Sequence, residues 1–176
     1  HRPTGDAVVA RVDDEQRAAR PARRAELAER HLNPRATRPP STARGVHHVA
    51  MISSDVERTI LFYDGVLGFP LIEMFENRDY EGSTHFFFDI GHGNALAYFD
   101  LPGLDLQPYM EVLGGHHHLA ISISRPQWEA ARARLHAAGV ECAHVDDSSL
   151  YFRGPDGERL ELISDPLGEM YGNVLG

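Results

Sequence analysis

"GVHHVAMISS" (residues 45–54) and "GHHHLAISIS" (residues 115–124) share the pattern G-x-H-H-x-A at an offset of 70 residues. A second pair, "FFDIGHGNALAYFD" (87–100) and "YFRGPDGERLELIS" (151–164), aligns without a gap at an offset of 64 residues. Such internal similarity indicates a duplicated structural unit. Each copy also contains one amphipathic helical stretch that ends at a glycine, Gly68 or Gly139, as left-handed helix caps require. The sequence therefore predicts two β-α-β-β-β modules, over about 45–103 and 114–166.

The fold class that follows is α+β. Each module is predicted to begin with a strand in its repeated His-containing stretch. Six further strands are predicted: "FPLIEMFE", "STHFFFDI" and "NALAYFD" in the first module, then "ECAHV", "SLYFRG" and "RLELIS" in the second. We expect the modules to pair into one curved, cup-like mixed sheet with the helices outside. The domain is expected over 45–170, followed by a short tail over 171–176. Residues 1–44 are predicted to form an Arg/Ala-rich helical arm and linker that packs on the domain or a partner subunit, with a recruitment role as the alternative.

Charge is distributed unevenly along the chain. Residues 1–45 hold ten arginines against six acidic residues, whereas residues 46–176 hold seven arginines against twenty acidic residues. An acidic domain repels phosphate backbones, so nucleic acid is not an expected partner. No apolar run approaches the ~18 residues of a membrane span, residues 1–25 lack the apolar core of a signal peptide, and Cys142 is the only cysteine. A cytoplasmic protein without a membrane partner is expected.

Strand alternation selects the candidate metal ligands. Leu119 and Ile121 share one face of their strand, which leaves His118 on the opposite face, and the repeat makes His48 its counterpart. In "RLELIS" the two leucines face the core, so Glu161 faces the cavity. A single histidine at a strand end is more often structural. Two histidines at repeated positions plus an inward carboxylate form the two-His, one-carboxylate set that suits Fe(II) and also accommodates Mn(II).

These motifs, with "FYDGVLGF" and "DGERLELI", resemble the vicinal oxygen chelate superfamily of glyoxalases, bleomycin- and fosfomycin-resistance proteins and type I extradiol dioxygenases. The resemblance covers residues 45 to about 168 and implies the metal ligands His48, His118 and Glu161. The repeat partner of Glu161 is Ala97, which cannot bind a metal. The resemblance to glyoxalase I, which has a glutamate there, is therefore weaker than that to three-ligand members.

Residues 144–161, "HVDDSSLYFRGPDGERLE", resemble the extradiol signature. The resemblance implies that His144 and Tyr151 line the substrate pocket beside Glu161. Cys142 and Gly154 depart from the usual residues of that signature. The family's acid/base histidine is replaced by Asn94, and His92 could substitute for it only if the "GHGN" loop reaches inward; a plain tight turn is the alternative.

Three functions remain open at this level. The first is an Fe(II)-dependent ring-cleaving dioxygenase that uses dioxygen and a small catecholic or vicinal-oxygen substrate, with proton transfer by His144 or His92, orientation by Tyr151 and an apolar wall from Phe87. The second is a metal-dependent transferase or isomerase acting on a small oxyanion, for which Arg153 is the candidate cation. The third is a non-catalytic small-molecule binding protein. Open sheet edges also predict a homodimer, and the connector "DLPGLDLQPYMEVLGG" either covers the cavity or only joins the modules.

Overall fold

The computed structural model of the chain describes residues 13–145 and 147–175. These residues form two units, which separate between Ala43 and Arg44. In the first unit, helix α1 (Asp14–His31) begins after Asp13, whose carboxylate accepts a hydrogen bond from the Gln16 amide at 2.8 Å. A short 3-10 turn (Arg35–Thr37) follows. Because α1 has no buried residue, its own side chains give it no core.

The second unit contains both predicted modules. In the first module, α2 (Val56–Ile60) continues as a π-helix (Leu61–Leu67) that ends at Gly68, whose φ of 78° is left-handed. In the second module, α3 (Arg125–Ala137) ends just before Gly139, with φ of 74°. The strands are β1 (His48–Ile52), β2 (Leu71–Glu76), β3 (Thr84–Asp89), β4 (Ala95–Phe99), β5 (Leu119–Ser122), β6 (Cys142–Val145), β7 (Ser149–Arg153), β8 (Arg159–Ile163), β9 (Glu169–Met170) and β10 (Asn173–Val174).

The two modules have the same sheet topology. The first sheet has the order β1-β4-β3-β2 and the second the order β5-β8-β7-β6, while β9 and β10 form a small hairpin. The first strand of each module pairs in parallel with the last strand, and the other neighbours are antiparallel. The predicted α+β class and the duplicated β-α-β-β-β order are confirmed.

One apolar core serves both modules. Alternate residues of the central strands are buried in it, and each helix adds large side chains such as Tyr63 and Trp128. The helices also contact each other, because Arg134 Nε of α3 donates a hydrogen bond to the Val66 carbonyl of the π-helix at 2.6 Å. Since the core and helices occupy one face of each sheet, we call the opposite faces the first open face (with His48 and Phe87) and the second open face (with Tyr151 and Glu161).

The expectation of a single cup-like sheet requires correction. Within residues 13–145 and 147–175, the strands of the two modules form separate sheets, and no ladder joins β1 to β5. Each of these strands is hydrogen-bonded to a neighbour on one side only, so both present an open edge. No helix among the described residues is long and apolar enough to cross a membrane.

Candidate metal centre

Glu161 lies at the centre of the second open face. Its neighbours on β8, Leu160 and Leu162, are buried in the core, and alternation directs Glu161 to the other side. The residue is only 2% exposed. One carboxylate oxygen, Oε1, accepts a hydrogen bond from Ser149 Oγ at 2.6 Å, and the other, Oε2, lies 3.1 Å from His118 Nε2. A carboxylate this buried beside an imidazole nitrogen is a donor set that fits a divalent metal.

The preceding histidine orients each candidate ligand. His118 Nδ1 lies 2.8 Å from His117 Nδ1, and His48 Nδ1 lies 2.8 Å from His47 Nδ1. In the tautomer in which the second histidine of each pair donates through Nδ1–H to the first, the Nε2 of that second histidine keeps the lone pair that a metal needs. Sequence reasoning missed the role of His47 and His117, although the repeated His-His pair was the signal.

His48 belongs to the first open face. It pairs in register with Ala95, and its ring centroid lies 6.4 Å from that of Phe87. Phe87 is opposite Ala97 on β4, at the position that Tyr151 occupies opposite Glu161 on β8. The open faces of the two modules therefore match residue for residue, with an alanine in the first where the second has its carboxylate.

His85 is a site residue that the sequence analysis did not select. It pairs with Phe99 on β4 just as Ser149 pairs with Ile163 on β8, so His85 and Ser149 are equivalent positions of the repeat. The centroid of the His85 ring lies 4.4 Å from that of Phe87, with the two rings tilted by 38°, and its Nε2 is buried with no hydrogen-bond partner among the described residues. Burial and the neighbouring His48 lower the pKa of His85, which favours the neutral imidazole.

The three predicted ligands do not all meet within one chain. His118 and Glu161 are in contact, whereas His48 lies on the other sheet. No group of three His, Cys, Asp or Glu side chains suited to a metal occurs in the described parts of a single chain. We call the His118–Glu161 pair the candidate His-Glu half-site and His48, on the other sheet, the candidate His48 half-site.

The structure places Tyr151 and Arg153 on the face of Glu161. Tyr151 is opposite Glu161 in register, and its ring centroid lies 5.6 Å from that of His118. Tyr151 therefore borders the His118–Glu161 pair, and Arg153 lies two residues further along the same face, where its side chain contacts the Gly157 carbonyl and the Tyr109 ring.

The position of His144 contradicts the prediction made for it. His144 pairs with Leu150, which is buried in the core, so its side chain lies on the helix face of the sheet. Its ring centroid is 5.9 Å from that of Trp128 of α3. Because Glu161 faces the opposite side, His144 does not line the half-site and the proton-transfer role assigned to it there was wrong.

His92 and Asn94 lie in the β3–β4 turn. The Asn94 amide donates to the Gly91 carbonyl at 2.9 Å, and His92 is exposed with a left-handed φ of 53°. The stretch "GHGN" is therefore a tight turn, as the alternative interpretation had it. Both residues line a cavity of about 700 Å³ whose lining does not include His48, His118 or Glu161.

Similarity to known proteins extends over most of the second unit. Residues 45–162 match the Glyoxalase/Bleomycin resistance protein/Dioxygenase superfamily. The metallothiol transferase FosB of Lysinibacillus sphaericus is 26% identical over 72% of this chain and 86% of the relative. The putative ring-cleaving dioxygenase MhqA of Bacillus subtilis is 27% identical over 73% of this chain but only 42% of that relative.

Solved structures share the fold. The glyoxylase/bleomycin resistance protein/dioxygenase domain from Frankia sp. EAN1pec superposes with a TM-score of 0.60 at 20% identity, over 69% of this chain and 98% of that one. A mutant of the fosfomycin resistance protein FosX from Listeria monocytogenes, complexed with Mn(II), has a TM-score of 0.56 at 22% identity, over 72% and 96% of the two chains. With the matched region covering both modules, the chain belongs to the Glyoxalase/Bleomycin resistance protein/Dioxygenase superfamily.

Proposed function

We propose that this chain is a metal-dependent enzyme and, more specifically, an Fe(II)-dependent dioxygenase that cleaves a small catecholic or vicinal-oxygen substrate. The observation that carries this proposal is the contact of buried Glu161 with His118 Nε2 at 3.1 Å. His48 is the repeat partner of His118, whereas the repeat partner of Glu161 is Ala97, which cannot be a fourth metal ligand. Two imidazoles and one carboxylate with no fourth protein ligand are the donor set of non-haem Fe(II) oxygenases. Mn(II) is the alternative metal for the same ligands.

Each residue has a separate task in this proposal. A divalent ion held by His48, His118 and Glu161 would supply Lewis acidity and a template for reactants. Ser149 holds one oxygen of Glu161, which fixes the orientation of the carboxylate. Tyr151 borders the substrate, and His85, rather than His144, is the neutral imidazole able to accept a substrate proton.

The complete site requires a second copy of the chain. His48 and the His118–Glu161 pair lie on different sheets, and β1 and β5 both have open edges. Pairing β1 of one chain with β5 of another would satisfy both edges and place the first open face of one chain beside the second open face of the other. We therefore propose a homodimer with shared metal sites.

A metal-dependent thiol transferase is the second candidate. Arg153 and Arg159 are opposite each other on the face of Glu161, and cations there suit an oxyanion substrate. The identity with FosB supports the same assignment. Both candidates require the same metal ligands but differ in their co-substrate, which is dioxygen for the first and a thiol for the second.

Metal analysis of anaerobically purified protein is the first test. We expect one equivalent of iron or manganese per chain, and loss of this metal in His118→Ala and Glu161→Gln. His144→Ala is the matched control, because His144 lies on the other face of the same sheet. Wild-type protein that stays metal-free after reconstitution with Fe(II) and Mn(II) would exclude both enzymes and leave a small-molecule binding protein.

Substrate assays then separate the two enzymes. The Fe(II) form, mixed with catechols under oxygen, is expected to give ring-opened products that absorb visible light, and none under argon. The Mn(II) form, mixed with a thiol and an epoxide bearing a phosphonate, is the parallel assay for the transferase. Thiol adduct without any oxygen consumption would replace the dioxygenase by the transferase.

A further inference from the structure

A pair of arginines lies on the second open face, near the His-Glu half-site. Arg153 and Arg159 are opposite each other in the β7–β8 ladder. Each lies two residues along its strand from the Tyr151–Glu161 pair, on the same face. Residues two apart on a strand are separated by roughly 7 Å, so both arginines lie within the length of a small substrate bound at Glu161. Continuing the β5–β8 register by one residue from Leu119–Leu160 also places Arg159 beside His118.

Only one acidic side chain compensates these two cations among the residues that the structure describes. Arg159 Nη2 contacts Glu111 Oε1 at 2.6 Å, and the two side chains are 19% and 37% exposed. Arg153 donates to the Gly157 carbonyl at 2.8 Å, lies over the Tyr109 ring, and has no carboxylate partner in the described part of the chain. Arg153, Arg159 and Glu111 together carry a net positive charge, although the domain as a whole has an excess of acidic residues. This local positive charge favours binding of an anion beside the two arginines.

The acid partner comes from the connector between the modules. Glu111 lies in a stretch that has no helix or strand, and several of its apolar neighbours, such as Met110 and Leu113, are exposed. Tyr109 fixes this stretch beside the site, because its hydroxyl donates to the carbonyls of His116 and His117, at 2.5 and 2.9 Å. Glu111 therefore reaches Arg159 from a segment that has no helix or strand.

We propose that Arg153 and Arg159 form an anion subsite for the substrate and that Glu111 occupies this subsite until the substrate displaces it. The inference rests on the proposed metal-dependent function and specifies its substrate class: a molecule with two adjacent oxygens for the metal and a carboxylate or phosphonate for the arginines. A partly exposed ion pair contributes little free energy, so a bidentate anion can replace the Glu111 carboxylate.

The test compares two probes that differ by one charge, 3,4-dihydroxybenzoate and catechol, on the metal-loaded protein. Calorimetry should give a dissociation constant about tenfold lower for 3,4-dihydroxybenzoate, the contribution of one charge-assisted hydrogen bond. Arg159→Gln should bring the two dissociation constants together, so the readout is the ratio of the two affinities in each protein. Equal affinities of the wild type for both probes would overturn the subsite.

Glu111→Gln should change the affinity for 3,4-dihydroxybenzoate in the opposite direction to Arg159→Gln. It therefore tests the proposal even if the arginine variant does not fold. Removing the competing carboxylate should tighten binding of 3,4-dihydroxybenzoate several-fold and leave catechol binding as it was. Glu129→Gln, which removes an ion pair of similar length with Arg125 on α3, is the matched control and should change neither. Weaker binding of the anion by Glu111→Gln would show that Glu111 supports the site instead of competing for it.

A metal-free measurement separates this inference from the proposed function. Methylphosphonate carries the anion but not the two adjacent hydroxyls, so it should raise the unfolding temperature of metal-free protein, and Arg159→Gln should abolish the rise. A rise in a protein that never binds metal would leave the subsite in place while the enzyme proposal fails. Metal binding without any response to methylphosphonate would overturn the subsite alone.

Discussion

Gly154 shows how a single residue can be fixed by a distant contact. It departs from the extradiol signature, and its backbone conformation alone does not demand glycine. A Cβ at this position would lie 2.2 Å from Glu158 Oε1, closer than any unbonded contact. Glu158 cannot move away easily, because that oxygen accepts hydrogen bonds from the hydroxyls of Tyr63 and Tyr98, both at 2.8 Å. The buried carboxylate, rather than the turn, explains the glycine.

Gly154→Ala should therefore lower the free energy of unfolding by about 1–3 kcal/mol, the usual range for overpacking in a core. Urea denaturation measures this change. Gly139→Ala is a useful comparison, since there the cost arises from the left-handed φ and not from a clash. An unchanged stability in Gly154→Ala would mean that Glu158 has room to shift.

His85 lowers the stability of the fold, because its buried Nε2 has no hydrogen-bond partner among the described residues, and it is also the proposed proton acceptor. A buried nitrogen without a hydrogen-bond partner in the described part of the chain costs about 1–3 kcal/mol, and the neighbours of this ring are Phe75, Phe87 and Phe99. His85→Phe should consequently raise the free energy of unfolding by about 1 kcal/mol while lowering kcat on the eventual substrate. Metal content should stay unchanged, because His85 is not a proposed ligand.

His85→Asn separates the two effects of that substitution. Asparagine keeps a polar group in the apolar surroundings, so no gain in stability is expected, although kcat should still fall. Denaturation curves and steady-state kinetics on both variants provide the comparison. A destabilised His85→Phe with normal kcat would show that the imidazole is structural.

At the scale of elements, three secondary-structure segments meet at a buried carboxylate. Tyr63 of the π-helix and Tyr98 of β4 donate to Glu158 in the β7–β8 turn, and all three side chains are buried. Burial, followed by the other tyrosine and the nearby Glu158 charge, raises the pKa of Tyr63; burial and Glu158 raise the pKa of Tyr98. The cluster connects the first module to the second through groups that must stay protonated.

This arrangement predicts loss of stability in alkali. Below pH ~10 both tyrosines are protonated in the folded and unfolded chain; above it the unfolded chain ionises first, so each tyrosine lowers the free energy of unfolding by up to ~1.4 kcal/mol per pH unit. Tyr63→Phe and Tyr98→Phe should each reduce this slope in denaturation curves from pH ~9 to ~11. The same substitution at Tyr171, a side chain that is 65% exposed, serves as the comparison.

Most elements were predictable because their pattern is local. Alternation within strands and the glycines after both helices indicated the modules, and the repeat placed His48, His118 and Glu161 on the correct faces. His144 failed because "ECAHV" has no clear apolar alternation, so only the pairing of β6 with β7 decides its face. His85 was missed because its importance depends on a buried nitrogen, which no sequence pattern displays.

At the scale of the whole molecule, the sequence could not reveal which copy completes each site. The same repeat is compatible with one continuous sheet within a chain or with two sheets that pair between chains. In this structure the modules share a core through their helices, and His48 remains apart from the His118–Glu161 pair. If two chains exchange modules, every metal site draws His48 from one copy and the other ligands from its partner.

Hybrid dimers test this exchange directly. His48→Ala and His118→Ala should each lose metal when purified alone. After the two variants are unfolded together and refolded as a mixture, each hybrid dimer should contain one intact site, because one copy retains His48 and the other retains His118. Metal content and activity should therefore reappear in the mixture, with the dimer measured by sedimentation.

The control for the hybrid experiment uses two variants that damage the same half-site. His118→Ala mixed with Glu161→Gln leaves no hybrid with an intact site when His118 and Glu161 come from the same chain, so metal should remain absent. Recovery in this second mixture, or none in the first, would contradict a site shared between copies. A monomeric wild type that binds one metal ion would require the two sheets of a single chain to close on each other, which would bring His48 to Glu161 without a partner.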